Sequence, residues 1–450
     1  MGRLFGTDGA RGIANTELTC EMAVSIGRAA AYVLTKHAEA RPKVIIGKDT
    51  RVSSTMLEMA IASGLCSFGA DVVLAGFIPT PAVAYLVADT AADAGVMISA
   101  SHNPCEYNGI KLFDRNGYKL PDEIEEEIEA IVLDGAVNIE LPVGGDVGNV
   151  FNRPDYVNRY VKHVVSTVDV RLDGMKIALD CANGCASTTA EKIFSSLGAQ
   201  CFMLSNHPNG ININDNCGST HMEQITDFVN ANGMDLGLAF DGDSDRCLAV
   251  DENGCLIDGD KLIAVLSKEM KKEGRLNKNT AVVTVMTNLG FKHFARDNDI
   301  RVAETGVGDR YVLEEMRKND YSIGGEQSGH IIFRDFATTG DGQLSGVQFA
   351  ATMAKNQKSA SELGSVMHTL PQVMINVTVV SGAKEAMQKD MEIKAVISSA
   401  EKRLGNDGRV LVRASGTEPL VRVMLEGKDI HLINRLAEEI AEVVKQRIGK

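Results

Sequence analysis

The sequence predicts an α/β fold: three related α/β domains with mixed sheets, plus a smaller C-terminal α+β domain, around a central cleft. Three observations carry this expectation. A strand–helix–strand pattern recurs three times before Gly340. Each copy then continues into an apolar run that ends in an unusually polar loop. The chain changes character after the helical stretch Leu344 to Met353 and the polar Lys355-Asn356-Gln357-Lys358. A length of 450 residues leaves room for roughly three domains of about 150 residues each.

The first copy reads Lys43-Val44-Ile45-Ile46-Gly47, a helix through Leu57, Ile61 and Leu65, then Asp71-Val72-Val73-Leu74. The second reads Lys176 to Asp180, a helix through Ile193 and Leu197, then Cys201 to Leu204. The third reads Ala281 to Val285, a helix around Phe291 and Phe294, then Ile300-Arg301-Val302. Short apolar runs alternating with helical periodicity indicate sheets covered on both faces. The segment Asp146 to Asp155, with Gly148 and Pro154, is the best first linker. Strands are expected at Val373 to Val380, Arg409 to Arg413 and Leu420 to Leu425, with helical stretches near Ala383 to Leu404. A last helix places Ile433, Leu436, Ile440 and Val443 on its core face. The expected domains are residues 1–153, 154–255, 256–368 and 369–450.

The composition is that of a soluble globular chain, 44% hydrophobic. No basic, apolar leader pattern opens it and no apolar run nears the ~18 residues of a membrane span, so the expected location is cytoplasmic, with no membrane partner. A net charge of -14 argues against nucleic-acid binding, which relies on broad basic surfaces. Nine cysteines without paired spacing read as reduced thiols.

Three polar loops, Ser99 to Asn108, Asp241 to Arg246 and Gly324 to His330, hold most of the chemistry, and α/β sheets gather ligands at the carboxyl ends of their strands. In the first, Ser101 is either ordinary turn chemistry or a nucleophile or phosphate carrier. In the second, Asp241, Asp243 and Asp245 are three carboxylates at alternate positions, an oxygen-only set suited to Mg²⁺. An EF-hand is the obvious rival, since Glu252 falls at the twelfth position. It fails because Arg246 stands where the calcium loop needs glycine, and Cys247 to Val250 reads as a strand. A phosphatase with Asp241 as nucleophile and a noncatalytic metal-binding protein remain alternatives. The third loop offers Glu326, Gln327, Ser328 and His330 between glycines, groups suited to sugar hydroxyls. Arg413-Ala414-Ser415-Gly416-Thr417-Glu418-Pro419, followed by Arg422, reads as an anion cradle of guanidinium forks, hydroxyls and a close-approach glycine.

Taken together, Phe5 to Gly9 with Arg11-Gly12, Ser99 to Pro104, Asp241 to Arg246, Gly325 to His330 and Arg413 to Pro419 resemble the successive signatures of the α-D-phosphohexomutase family, most closely its amino-sugar branch. Gly306 is a departure, standing where some relatives place a lysine. The resemblance implies transfer of phosphate between the 6- and 1-hydroxyls of glucosamine through a 1,6-bisphosphate, with glucose and mannose phosphates as the alternative substrates. It implies Ser101 as phosphoserine, Asp241, Asp243 and Asp245 joining its phosphate around Mg²⁺, and Lys111 and His330 as acid and base groups. Arg11 and His102 would line the transfer site, and Arg246, Glu326 and Ser328 would meet the substrate. Arg413, Ser415, Gly416, Thr417 and Arg422 would grip its distal phosphate. A hexose or glucosamine 1,6-bisphosphate activator and a homodimer are also implied.

Overall fold

The computed structural model describes residues 3–6, 8–35, 40–137, 140–380, 386–387, 389–414 and 420–450. Contacts divide the chain into two compact units, Met1–Met286 with Asn298–Val366, and Thr287–Asp297 with Met367–Lys450.

The strands of the first unit are β1 (Phe5–Gly6), β2 (Gly9–Ile13), β3 (Lys43–Lys48), β4 (Asp71–Phe77), β5 (Ala94–Ile98), β6 (Tyr107–Phe113), β7 (Val150–Asn152), β8 (Lys176–Asp180), β9 (Gln200–Leu204), β10 (Leu236–Phe240), β11 (Cys247–Asp251), β12 (Leu256–Ile257), β13 (Thr280–Thr284), β14 (Arg301–Thr305), β15 (Ile323–Gly325) and β16 (Ile331–Phe333). They form sheets in the orders β1-β2-β6-β5-β3-β4-β7, β12-β11-β10-β8-β9 and β14-β13-β15-β16. The expected threefold repeat is visible in the ladders. In each sheet the copy's first strand (β3, β8 or β13) runs parallel to a neighbour on both sides, and the second of those neighbours turns back into an antiparallel hairpin. Those hairpins are β5-β6, β10-β11 and β15-β16, and their connections are the three polar loops.

The uninterrupted apolar runs reflect this position. Val44, Ile45 and Ile46 are fully buried, as are Ile177, Ala178 and Leu179 and, in the third copy, Ala281, Val282 and Val283, because a parallel strand between helical layers has no solvent face. Turning back into an antiparallel strand places a loop at the carboxyl end of β5, β10 and β15, where side chains can leave the core without burying unpaired backbone.

The segment read as a linker is more ordered than that. Val150–Asn152 adds to the open edge of β4 in parallel register, Val72 opposite Val150. Val72 N–H donates to Asn149 O at 2.8 Å and Arg153 N–H to Leu74 O at 2.8 Å, so the backbone groups exposed on that edge find partners.

In the second unit, β17 (Gln372–Thr378), β18 (Gly408–Ala414) and β19 (Leu420–Gly427) form an antiparallel sheet ordered β17-β19-β18. Helices Met391–Leu404 and Ile430–Ile448 pack on it through Ile393, Leu404, Ile433, Leu436 and Ile440. Of the helical stretch expected from Ala383, residues 383–385 and 388 lie outside the described residues. Val444, rather than Val443, is the fully buried valine of the last helix, since the step from Ile440 is four residues at 100° each. Helix Leu289–Asp297, read as part of the third copy, belongs by its contacts to this unit. Buried Glu426 accepts hydrogen bonds from Leu289 N–H at 3.1 Å and Asn288 Nδ2 at 3.2 Å, an anion at a helix start that holds the helix there.

Candidate active site

Ser101 lies in the β5-β6 connection with a left-handed backbone, φ 54°, a conformation that costs a non-glycine residue about 1–3 kcal/mol and persists only where its surroundings over-determine it. They do so here. Ser101 N–H donates to Ser99 Oγ at 2.9 Å. Its carbonyl accepts from Arg51 Nη2 at 3.1 Å and from Asn214 Nδ2 at 2.9 Å, and both groups also donate to Asn103 O. Arg51 is fully buried and ion-paired with Asp49. The hydroxyl that results is 1% exposed as a residue, donates to Asp241 Oδ2 at 2.6 Å and lies 3.3 Å from His102 Nδ1.

Asp241, Asp243 and Asp245 are all buried, and one carboxylate oxygen from each lies within 4.8 Å of the others. Asp241 is already engaged, with Oδ2 on Ser101 and Oδ1 accepting from Arg246 N–H at 3.2 Å. Asp243 Oδ2 accepts from Thr80 Oγ1 at 2.6 Å and Lys111 Nζ at 2.8 Å. By contrast, Asp243 Oδ1 and Asp245 Oδ1 are buried without a hydrogen-bond partner among the described residues, which is costly for a carboxylate. Burial, reinforced by Asp245 and Asp243, holds the Asp241 carboxyl well above the usual carboxylate range. Unsatisfied oxygens, mutual repulsion and an all-oxygen donor set are what a hard divalent cation would relieve, so the residues present fit Mg²⁺.

Around this centre lies a chain of alternating charges that the sequence reading largely missed. Lys111 Nζ touches Asp243, Asp8 at 3.0 Å and Asp245 at 3.4 Å. Burial lowers its affinity for a proton, but Asp243, Asp8 and Asp245 outweigh that and hold it well above the ordinary lysine value, so in this arrangement it stays protonated. Asp8 also pairs with Arg11 and, at 2.6 Å, with Lys119, which reaches Asp309 at 2.6 Å. Asp309 Oδ2 is 3.4 Å from His330 Nε2, and His330 Nδ1 is 3.7 Å from Asp245 Oδ2. The His330 ring is buried, yet Asp245 and Asp309 more than offset that and raise its pKa. When the ring is neutral, Nε2 accepts Gly340 N–H at 3.0 Å, which leaves the proton on Nδ1 facing Asp245. A Cβ at Gly340 would come within 2.3 Å of that nitrogen, so only glycine permits the contact. His102 goes the other way: burial, Arg246 and Arg11 pull it down to about 4, so it is neutral at pH 7.

The third loop joins through His330. Glu326 Oε1 accepts from Gly308 N–H at 3.0 Å, tying it to the loop around Gly306. Ser328 Oγ and Arg246 Nε are buried without hydrogen-bond partners among the described residues. Thus Ser101, His102, Arg11, Lys111, the three aspartates, Arg246, Glu326, Ser328 and His330 all lie in the first unit. Arg413 and Arg422 lie in the second, directly opposite one another on β18 and β19. Like charges so placed repel, and burial together with Arg422 lowers the Arg413 pKa. Ser415, Gly416 and Thr417 lie outside the described residues.

Among residues of this cluster that the sequence reading passed over, Asp49 and Arg51 follow β3 directly and were findable by the rule that strand ends carry sites. Thr80, Lys119 and Asn214 carry no local signal, and Asp309 lies at the end of the loop of Gly306 without being singled out there.

The order and chemistry of these loops define a phosphosugar-handling α/β enzyme class, and comparison with known proteins gives the family. Residues 2–137, 156–254, 258–370 and 374–443 match, in turn, phosphoglucomutase/phosphomannomutase alpha/beta/alpha domains I, II and III and the C-terminal domain. The chain belongs to the phosphoglucomutase/phosphomannomutase family. It is 53% identical over 447 residues to the phosphoglucosamine mutase of Clostridium acetobutylicum, covering 99% of this chain and 100% of that one. The phosphoglucosamine mutase of Clostridium novyi is 51% identical over 447 residues, covering 99% of both. In fold, the chain resembles a phosphoglucomutase/phosphomannomutase family protein from Burkholderia thailandensis, with a TM-score of 0.82, 23% identity and 99% and 97% of the two chains covered. It also resembles Aspergillus fumigatus N-acetylphosphoglucosamine mutase, solved with GlcNAc-6P and magnesium, with a TM-score of 0.70, 18% identity and 99% and 96% covered.

Proposed function

We propose that this protein interconverts glucosamine 6-phosphate and glucosamine 1-phosphate, with Ser101 carrying the phosphoryl group. The observation that carries the reading is the Ser101 hydroxyl 2.6 Å from Asp241 in a buried cluster where Asp243 Oδ1 and Asp245 Oδ1 have no hydrogen-bond partner among the described residues. Relatives more than half identical over nearly the whole chain support the glucosamine assignment.

In the forward half-reaction the bond between phosphorus and Ser101 Oγ breaks as one forms to the free sugar hydroxyl, whose proton passes to a base. The bisphosphate then presents its other phosphate, which returns to Ser101 Oγ. Lys111 and His330 are the candidate acid and base groups. Mg²⁺ would be held by Asp241, Asp243, Asp245 and the phosphoserine, and when bound it neutralises charge on the phosphoryl oxygens. Arg11, His102 and Arg246 line the transfer site, and Glu326 and Ser328 bind sugar groups. Arg413 and Arg422, with Ser415, Gly416 and Thr417, bind the phosphate that is not reacting, which relieves the repulsion between the paired arginines. A 1,6-bisphosphate would recharge enzyme that has lost its phosphate. The same reading includes a cytoplasmic homodimer without nucleic-acid or membrane partners; among the described residues no helix is long and apolar enough to cross a membrane.

The test is a coupled assay on phosphorylated enzyme. Glucosamine 6-phosphate should be turned over at least about tenfold faster than the glucose or mannose 6-phosphates, since a site that hydrogen-bonds an amine discriminates against its absence. Equal or faster turnover of either neutral sugar overturns the glucosamine assignment, and inorganic phosphate released in excess of isomer makes the protein a phosphatase. Arg422→Ala should raise KM for the phosphosugar by about tenfold or more while kcat changes less. Unchanged saturation behaviour would remove Arg422 from the phosphate site.

A further inference from the structure

We infer that Asn214 is a positioning residue for phosphoryl transfer: its carboxamide, reaching from the second α/β domain, clasps the turn that carries Ser101. The inference rests on the reading of Ser101 as phosphate carrier.

The geometry is specific. A carboxamide nitrogen has two N–H donors, and Asn214 Nδ2 donates to Ser101 O at 2.9 Å and Asn103 O at 3.0 Å. Arg51 Nη2 donates to the same two carbonyls. Both carbonyls of the turn therefore have two donors, and the turn is gripped from two domains at once. Asn214 is 8% exposed, and its own backbone is left-handed, φ 57°, with its N–H on Ala182 O at 2.9 Å. Asparagine is among the few side chains that adopt this conformation readily.

Room for the clasp comes from the metal loop. A Cβ at Gly242 would lie 2.6 Å from Ser101 O and 3.0 Å from Asn214 Nδ2, so the glycine between Asp241 and Asp243 lets the three segments meet. Arg51 anchors the turn to its own domain, where Asp49 balances its charge. Asn214 is uncharged and comes from the domain that supplies Asp241. Its two bonds hold the serine in register with the carboxylates it must work beside, and a misplacement of about 1 Å at such a site can cost about 100-fold in rate.

Asn214→Gly keeps the backbone freedom and removes the carboxamide, whereas Asn214→Asp keeps size and backbone preference and replaces the donors with acceptors. Wild type and both variants would be phosphorylated with glucose 1,6-bisphosphate, checked by intact mass, and mixed with glucosamine 6-phosphate in a single turnover. Both variants should transfer phosphate from Ser101 at least about tenfold more slowly, with steady-state KM within about twofold of wild type and an unchanged circular dichroism spectrum. Transfer at the wild-type rate by Asn214→Gly would show that only the backbone at this position matters and would overturn the clasp. So would KM rising in proportion as kcat falls in both variants, the mark of a generally distorted site. Wild-type enzyme that accepts no phosphate would instead overturn the carrier reading, and the clasp with it.

Discussion

Ser101→Ala protein is expected to show no mutase turnover, a loss on the order of 10³-fold or more, even with added glucose 1,6-bisphosphate. On the proposed reading the Oγ atom carries phosphate in both halves of the reaction, so without it no group donates phosphate to the sugar or takes back the bisphosphate's other phosphate. On the same reading added bisphosphate would recharge dephosphorylated enzyme, but this variant has no group to recharge, and intact mass should show no phosphate gained. The variant should still bind phosphosugar, since Arg413, Arg422, Glu326 and Ser328 are untouched. Its folded state should differ little: the turn is held through backbone atoms by Arg51, Asn214 and Ser99, while losing the hydroxyl strands Asp241 Oδ2 at a cost of about 1–3 kcal/mol. Turnover within about tenfold of wild type would remove Ser101 from the carrier role.

The second large effect concerns the cation. Wild-type protein freed of divalent metal by chelation is expected to lose turnover and regain it with Mg²⁺. Its unfolding midpoint should rise with added Mg²⁺, because a ligand present at 100 times its Kd stabilises the folded state by about 2.7 kcal/mol. Asp243→Asn should lose most of that thermal response and at least about 100-fold in turnover, a magnitude typical of removing one group that meets transition-state charge. The distinction matters because Asp243 also accepts from Thr80 and Lys111, and a merely structural role would lower the midpoint while leaving the Mg²⁺ response intact. A full Mg²⁺ response in Asp243→Asn would exclude this carboxylate from the metal site.

The fold was legible in the sequence where periodicity is local. Val44-Ile45-Ile46 and its two counterparts are strands because their surroundings on both faces are apolar, and that shows as a plain run of residues. The three loops were equally legible, since each concentrates groups that need a reason to be together. Val150–Asn152 was not: Gly148 and Pro154 look like linker chemistry, and only the open edge of β4 makes a strand of the residues between them. Helix Leu289–Asp297 has the periodicity expected of it, but its allegiance is set by Glu426, more than a hundred residues away. The site divides the same way. Asp241, Asp243 and Asp245 announce themselves by spacing, whereas Lys119, Asp309 and Asn214 are ordinary surface residue types until the chain brings Asp8, His330 and Ser101 to them. The Arg413 signature could be read from sequence, and part of it, Ser415 to Thr417, falls outside the described residues.

The three chemical loops each close a hairpin whose strands are already paired, so the pairing of the strands does not depend on which side chains the third loop carries. In the third loop the side chains of residues 326 to 328 can change without disturbing the strands, whereas Gly329 is fixed, its carbonyl accepting from Cys247 N–H at 3.1 Å with no room for a Cβ beside that strand. In an architecture of this kind, the choice of sugar can drift over evolutionary time while the apparatus that moves phosphate stays as it is, and a designer could exchange one without rebuilding the other.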